Sequence, residues 1–244
     1  MKQISISVVI PCFNEKERIE RNITLINNYL RNNFENYEII VVDDGSNDGT
    51  REKLIKIKNN LTKVKVVFFQ QNHGKGFAVT NGIKLAEKEI VLFLDADLAI
   101  PIEELPKFIN EINKGTEVAI ASRFISGAEL ISPILFHRKV MEQVFRLIRK
   151  IIIGLETIED TQCGFKVFRK EAAKKIFSKV TIQRFSFDAE ILYLAKKYGY
   201  RIKEVPIRLH NPLKSHIRLI FDPINMFFGL LKIRLNNLLG NYDV

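Results

Sequence analysis

The apolar run Leu92, Phe93, Leu94 ends in two carboxylates, Asp95 and Asp97, separated by one alanine. A carboxylate is costly to bury unless a cation or donors meet it, so a strand that ends this way has positive charge to hold. Mg2+ and Mn2+ are hard cations that take carboxylate and phosphate oxygens, commonly with one or two protein carboxylates. Two aspartates at i and i+2 leaving a strand can both approach one diphosphate–metal unit. Other polar clusters sit in equivalent places. PCFNE (11–15), DDGSNDG (43–49), QQNHGKG (70–76) and Ser122–Arg123 each follow an apolar, strand-like run. Acids follow the first, second and fourth runs and cations the third and fifth, an inventory suited to a metal and a phosphorylated ligand held together.

Each cluster alone is weak. Asp-Gly and Asn-Asp pairs favour turns, and an isolated Asp-x-Asp is common by chance. GKGFAV follows the third strand and lacks the last glycine of a dinucleotide fingerprint, and no GxxxxGK[ST] occurs, which excludes a P-loop. What gives the clusters weight is their order at successive strand ends, because ligands of open α/β sheets collect outside the carboxyl ends of the strands.

The elements that must position them alternate. Strand-like segments at 6–10, 37–42, 64–69, 89–94 and 117–122 are separated by helical stretches: one with Ile19, Ile23, Ile26 and Leu30 on a stripe, one near 50–60, one near 76–88, and one from Pro101. That pattern predicts βαβ units around a mostly parallel sheet. After Arg123 the pattern changes to a helical stretch at 133–155, a short strand region at 160–168, two helices, and a strand at 201–209 that Pro206 demotes to an edge.

At 244 residues and 46% hydrophobic, the chain can bury a core without staples. Two cysteines without CxxC spacing predict neither a disulfide scaffold nor a zinc site and fit a reducing compartment. No secretory signal or membrane-spanning run is expected, which predicts a soluble or peripheral protein. Charge is uneven. Residues 1–122 hold 16 Lys/Arg against 17 Asp/Glu, net −1, and residues 123–244 hold 22 against 11, net +11. Such an asymmetry points to an anionic partner for the second half, against the alternative of a merely solvated basic face. A nucleic acid is not that partner, because carboxylates crowd the ligand edge and would repel a phosphate backbone. His73, His137, His210 and His216 have no metal spacing and read as structural or surface residues.

VVIPCFNE, VVDDGSNDGT, NHGKGFAVTNGI, FLDADL and ASRF resemble the nucleotide-sugar half of the family 2, GT-A fold glycosyltransferases. DTQCGFKVF and FSFDAEILYLAKKYGYRIKEVPI narrow the likeness to polyprenyl-phosphate sugar synthases, closer to dolichyl-phosphate β-glucosyltransferases than to the mannose synthases. The likeness runs from residue 4 to about 235. It implies an α/β, Rossmann-like GT-A sheet with helices on both faces plus C-terminal amphipathic helices. It divides the chain into a catalytic domain at 1–210 (nucleotide-sugar half 1–122, acceptor half 123–210) and a membrane-associated segment at 211–244.

Carried over by position, the likeness has Pro11, Asn14 and Glu15 line the nucleotide pocket, with Asp43 and Asp44 on base and ribose. Gly74, Lys75 and Gly76 let the backbone approach the nucleotide. Asp95 and Ala96 lie on the nucleotide side, and Asp97 is the main ligand of Mg2+ or Mn2+, with Asp95 beside it. Arg123 lies by the reacting phosphates. Asp160, Gln162 and the run Cys163 to Lys166 face sugar and acceptor, and Asp188 and Glu190 are matching family acids. Relatives often carry Gln or Ser where this chain has Ala99, so the metal leans on Asp97, water and the diphosphate. The chain has no Trp, so the QxxRW signature of processive members cannot exist.

The implied reaction is inverting displacement at a hexose anomeric carbon, with UDP-glucose as first donor and GDP-mannose as the alternative. A polyprenyl (dolichyl) phosphate is the acceptor. A phosphate monoester is mostly dianionic at neutral pH and needs no strong base, whereas a soluble enzyme acting on a hydroxyl would need one such as Asp188. Arg123, Arg138, Lys214 and Arg218 are candidates for the acceptor phosphate. Asp160 and Asp188 either act directly or orient those cations. The stretches 133–155 and 213–239 read as interfacial elements on the cytoplasmic face of a membrane, or as ordinary core helices. Oligomeric state stays open.

Overall fold

The computed structural model describes residues 3–130, 136–184, 186–209 and 221–243. The first half runs β1 (Ser5–Cys12), α1 (Ile19–Asn33), β2 (Asn36–Asp43), α2 (Thr50–Asn60), β3 (Val64–Phe68), α3 (Lys75–Leu85), β4 (Ile90–Leu94), α4 (Leu105–Asn113) and β5 (Val118–Ser122). A single 3-10 turn, Ile102–Glu104, precedes α4, so Pro101 sits before that turn and Pro106 occupies the first turn of the helix. Then come β6 (Glu129–Leu130), α5 (Phe136–Ile153), β7 (Phe165–Arg169), α6 (Lys170–Phe177), α7 (Phe187–Lys197), β8 (Ile202–Pro206), β9 (Arg208–Leu209) and α8 (Phe221–Leu238).

Seven strands form one sheet in the order β3-β2-β1-β4-β7-β5-β8, and β6 pairs with β9 apart from it. Alternate residues of the strands point to opposite faces, and each face has its own core. Val8 and Ile10 of β1 meet Ile23 and Ile26 of α1 with Phe108 of α4. Val9 of the same strand faces Val79 and Ile83 of α3, in a cluster that continues through Ile191 of α7 and Leu230 and Ile233 of α8. The α1 stripe is fully buried, each such side chain contributing about 1.5–3 kcal/mol. β8 pairs only with β5, the edge place that Pro206 predicts.

One strand departs from the expected pattern. β7 lies between β4 and β5 and runs antiparallel to both. Parallel strands deliver their carboxyl ends to the ligand edge, but β7 delivers its amino end there. The residues that precede it, Asp160 to Gly164, therefore arrive beside the ends of β4 and β5.

Candidate active site

Three loops on the first half are tied together before any ligand is considered. Asn14, in a left-handed conformation at φ 56°, donates its amide to Ser46 Oγ at 2.9 Å and accepts from the Asn47 amide at 3.0 Å through Oδ1. The Glu15 amide donates to Thr50 Oγ1 at 2.8 Å, while the Glu15 carboxylate pairs with Arg18. Pro11 is buried near the end of β1, opposite Val42. Asp43 and Asp44 are also buried. Asp43 accepts from the Ser46 amide at 3.2 Å and lies 3.5 Å from Arg51. Asp44 accepts the His73 amide on both oxygens at 3.1 Å and the Gly74 amide at 2.7 Å. Both acids thus hold the loops that would frame a nucleotide.

The turn at Gly74 has φ 114°, a conformation that side chains rarely adopt, and an added Cβ would lie 2.6 Å from the Gln183 carbonyl oxygen. Gly74 opens α3, so Lys75 and Gly76 stand in its first turn. From there the Lys75 ammonium reaches 2.7 Å from Asp95 Oδ1 and lies 5.5 Å from the centre of the Phe93 ring. Burial alone would lower the Lys75 pKa, but Asp95 and Asp188 raise it, so it stays charged.

Asp95 follows β4 directly, its amide bonded to the Gly164 carbonyl at 3.0 Å. A Cβ at Gly164 would overlap the Asp95 carboxylate, so only glycine fits beside it. Ala96 is buried, its carbonyl capped by Asn22 at 2.8 Å. Asp97 is half-buried and accepts the Ala99 amide at 3.0 Å, so Ala99 contributes a backbone donor to it. Burial and the neighbouring Asp95 charge raise the Asp97 pKa, with Arg18 pulling it back. Two adjacent carboxylates, one already bridged by an ammonium, suit a hard divalent cation. Among the described residues no three His, Cys, Asp or Glu side chains converge as ligands, so phosphate oxygens and water would complete the coordination.

On the other side of β7 the polarity reverses. Arg123 follows β5 and is gripped by Asp160: Nε to Oδ2 at 2.7 Å, a second guanidinium N–H to Oδ1 at 2.9 Å, and the backbone amide to Oδ2 at 3.1 Å. Asp160 is wholly buried, whereas the Arg123 side chain keeps 21% of its exposure. Burial would raise the Asp160 carboxyl, but the Arg123 charge and hydrogen bonds and the Lys166 charge hold it below its ordinary value. Glu204 accepts the Glu159 and Asp160 amides at 2.9 Å, fixing that loop. The Gln162 amide donates to Asp160 Oδ1 at 3.2 Å.

A second locked pair lies deeper. Lys166 of β7 is fully buried and donates to Asp188 Oδ1 at 2.5 Å and to the Cys163 carbonyl at 2.7 Å. Burial pushes the Asp188 carboxyl up, while Lys166 and Lys75 pull it down. The structure therefore brings Asp95, Asp97, Lys75, Arg123, Asp160, Gln162 and Asp188 to one edge. Lys214 and Arg218 lie outside the described residues. Arg138 lies on α5, but its side chain is outside them too.

Arg18, which no motif marked, pairs with Glu15 and adds positive charge near Asp97. The His73 ring stacks on Phe77 at 4.3 Å and lies in a T-shaped contact with Phe69, at the start of the glycine turn.

Residues 7–177 match the family model described as Glycosyl transferase family 2. The chain is similar to the dolichyl-phosphate beta-glucosyltransferase of Saccharomyces cerevisiae, 35% identical over 260 residues that cover 99% of this chain and 77% of that protein. It is similar to the human protein of the same name at 33% over 248 residues, covering 96% and 76%. Among solved structures, glucosyl-3-phosphoglycerate synthase from Mycobacterium tuberculosis in complex with Mn2+, UDP and phosphoglyceric acid superposes with a TM-score of 0.67 at 19% identity, covering 99% and 79%. Mannosyl-3-phosphoglycerate synthase from Rubrobacter xylanophilus gives 0.70 at 17%, covering 99% and 76%. At these identities the two structures bear on fold alone.

Proposed function

The chain belongs to glycosyl transferase family 2, and on that premise we propose that it moves glucose from UDP-glucose onto the phosphate of a dolichyl-type polyprenyl lipid. One observation carries the choice of acceptor. Asp188, the acid that could serve as a base, and Asp160, the other acid that could act directly, are both buried and bound to cations, Lys166 and Arg123. An alcohol acceptor would need one of them to take its proton. A phosphate brings its own charged oxygen and needs only cations to place it. The names of the similar proteins support the same acceptor.

In the reaction an acceptor phosphate oxygen forms a bond to the anomeric carbon. The bond from that carbon to the donor diphosphate breaks, and the nucleoside diphosphate leaves with the electron pair and the charge. Asp97, with Asp95, would hold Mg2+ or Mn2+, which when bound neutralises part of that charge. Lys75 supplies a further positive charge from the first turn of α3. Arg123, fixed in a bidentate grip, faces the phosphates without having to reorganise, the condition under which such groups stabilise a transition state most.

The lipid end of the acceptor needs a surface. On α5, Val144, Leu147 and Ile151 stand exposed at helical spacing. On α8, Phe228, Leu231 and Leu235 do the same, while Leu230 and Ile233 of that helix are buried in the core. The helix is thus apolar on its outer as well as its inner side, with Lys232 and Arg234 exposed between, instead of amphipathic in the ordinary sense. Among the described residues no helix is long and apolar enough to cross a membrane. An apolar stripe with flanking cations suits the headgroup boundary of an anionic bilayer, and we place the protein there as a peripheral partner.

The test is product formation. The protein is incubated with Mn2+ and a short polyprenyl phosphate, and in separate tubes UDP-glucose, GDP-mannose or UDP-N-acetylglucosamine, and glycolipid is sought by mass spectrometry. Glucosyl lipid is the expected product. Product from GDP-mannose alone would overturn the donor, and glycosylation only of a soluble acceptor would overturn the lipid.

A further inference from the structure

One fully buried acid takes no part in the proposed reaction. Glu190 of α7 is buried and accepts from every neighbour. Its Oε1 receives the Tyr242 hydroxyl at 2.6 Å, the Thr181 hydroxyl at 2.7 Å and the Thr181 amide at 3.0 Å. Its Oε2 receives the Thr181 amide at 3.1 Å and the Ile182 amide at 2.9 Å. Asn236 of α8 closes the ring, its Nδ2 donating to Thr181 Oγ1 at 2.9 Å and to the Tyr242 hydroxyl at 3.2 Å. Burial and the Glu190 charge raise the Tyr242 pKa, so the phenol stays neutral and donates.

The backbone that Glu190 holds is the backbone that supports the glycine turn. The Phe77 amide donates to the Gln183 carbonyl at 3.1 Å. The Ile182 carbonyl and the Phe187 ring lie so near Gly76 that a Cβ there would sit 2.6 Å from each residue. On its other side the turn is held by Asp44, through His73 and Gly74. Residues 73–77 are therefore clamped between Asp44 and residues 182–183, and the second jaw is fixed by Glu190.

We propose that Glu190, together with Tyr242, is a positioning residue for the donor: by fixing residues 181–183 it sets the place of the Gly74–Phe77 turn and makes α8 part of the donor site's support. This rests on reading that turn as the nucleotide-sugar turn. The carboxylate is specific to the task, because all its partners are donors and an amide in its place would turn an N–H toward other N–H groups.

Tyr242→Phe keeps the ring and removes one donor, and Glu190→Gln removes the acceptor; the first keeps the question open to test should the second not fold. Hydrogen exchange on the full chain reads the turn directly. In Tyr242→Phe the Gly74 and Phe77 amides are expected to exchange roughly tenfold faster, the scale of one lost hydrogen bond to a charged group. The Kd for UDP with Mn2+ rises in parallel, and the donor KM rises more than kcat falls. Ile109→Val, which trims a buried contact on the opposite face of the sheet, is the control for general loosening. Unchanged exchange at 73–77 in Tyr242→Phe would overturn the inference, as would an equal acceleration in Ile109→Val. Faster exchange in a protein whose wild type binds no UDP would keep the clamp and overturn the donor reading instead.

Discussion

On the side of the sheet edge proposed for the donor, Asp95 and Asp97 keep some exposure and have as nearby positive charges Lys75, in the first turn of α3, and Arg18, at the start of α1. On the side proposed for the acceptor, Arg123 keeps part of its exposure and Asp160 is sealed behind it. The two pairs are presented differently: Lys75 and Asp95 both keep some exposure, whereas of Arg123 and Asp160 only the guanidinium does. A carboxylate presented to solvent is available to a cation, and a carboxylate buried against a guanidinium is an orienting group. The difference in burial, more than residue type, separates the roles of acids that look equivalent in the chain.

The largest expected effect breaks the donor side. Asp97→Asn should lower turnover about a thousandfold, equivalent to about 4 kcal/mol of barrier, with a Tm equal to or above that of the wild type. The raised Asp97 pKa means that its charge costs the fold at neutral pH. Turnover assays against Mn2+ concentration and a thermal melt check both parts, and an unchanged rate would sink the metal assignment.

Asp160→Asn should break the acceptor side differently. It removes one partner of a buried pair, which destabilises by about 3 kcal/mol, the low end of the usual range because Arg123 keeps contact with solvent. Turnover should drop about a hundredfold as the guanidinium loses its grip. Urea denaturation and steady-state kinetics separate the two losses. An Asp160→Asn protein with full activity would mean that Arg123 needs no orienting.

Acid titration sharpens the contrast, since the two carboxyls are displaced in opposite directions from an unfolded value of about 3.9. The Asp160 pKa is lowered in the fold, so its stabilisation is complete above about pH 4 and is lost as pH falls through the lower folded value. The Asp97 pKa is raised, so its penalty is absent below about pH 4 and grows as pH rises through the folded value. Stability differences of the two variants from wild type should therefore carry opposite signs at pH 7 and both shrink toward pH 3. Denaturant midpoints across that range would show it, and parallel curves would refute it.

The smallest effect lies farthest from the site. Phe228→Ser, at an exposed position of α8, should leave Tm within about a degree, because surface changes stay within about 0.5 kcal/mol. It should weaken sedimentation with anionic vesicles a fewfold. Unaltered vesicle binding would remove α8 from the proposed surface.

Much of the donor side was legible in the chain because its polar clusters lie within a few residues of strand ends, where local pattern and function coincide. The five parallel strands, the α1 stripe and the edge place of β8 follow from spacing and from Pro206. The acceptor side was legible only as an inventory. Arg123 and Asp160 are 37 residues apart, and Lys166 and Asp188 are 22 apart, so no spacing rule couples them. The cause is β7. FKVFR carries two charged residues among three apolar ones, and nothing in it marks the strand as antiparallel. Without that direction, Asp160 to Gly164 could not be placed beside Asp95, nor could Gly164 be seen as the residue that makes room for it.

The Lys75–Asp95 bridge has a thermodynamic consequence. Its two charges are already discharged against each other at 2.7 Å. The proposed donor, a diphosphate with its own cation, would exchange partners with the bridge: ammonium to phosphate, carboxylate to metal. Few free ions are gained or lost in such a swap, so donor affinity should vary little with ionic strength. Adhesion of the net +11 second half to the proposed anionic surface would be ordinary counterion release and fall steeply with salt. The two halves of the chain would then answer to salt separately, capture of substrate remaining when the surface has let go.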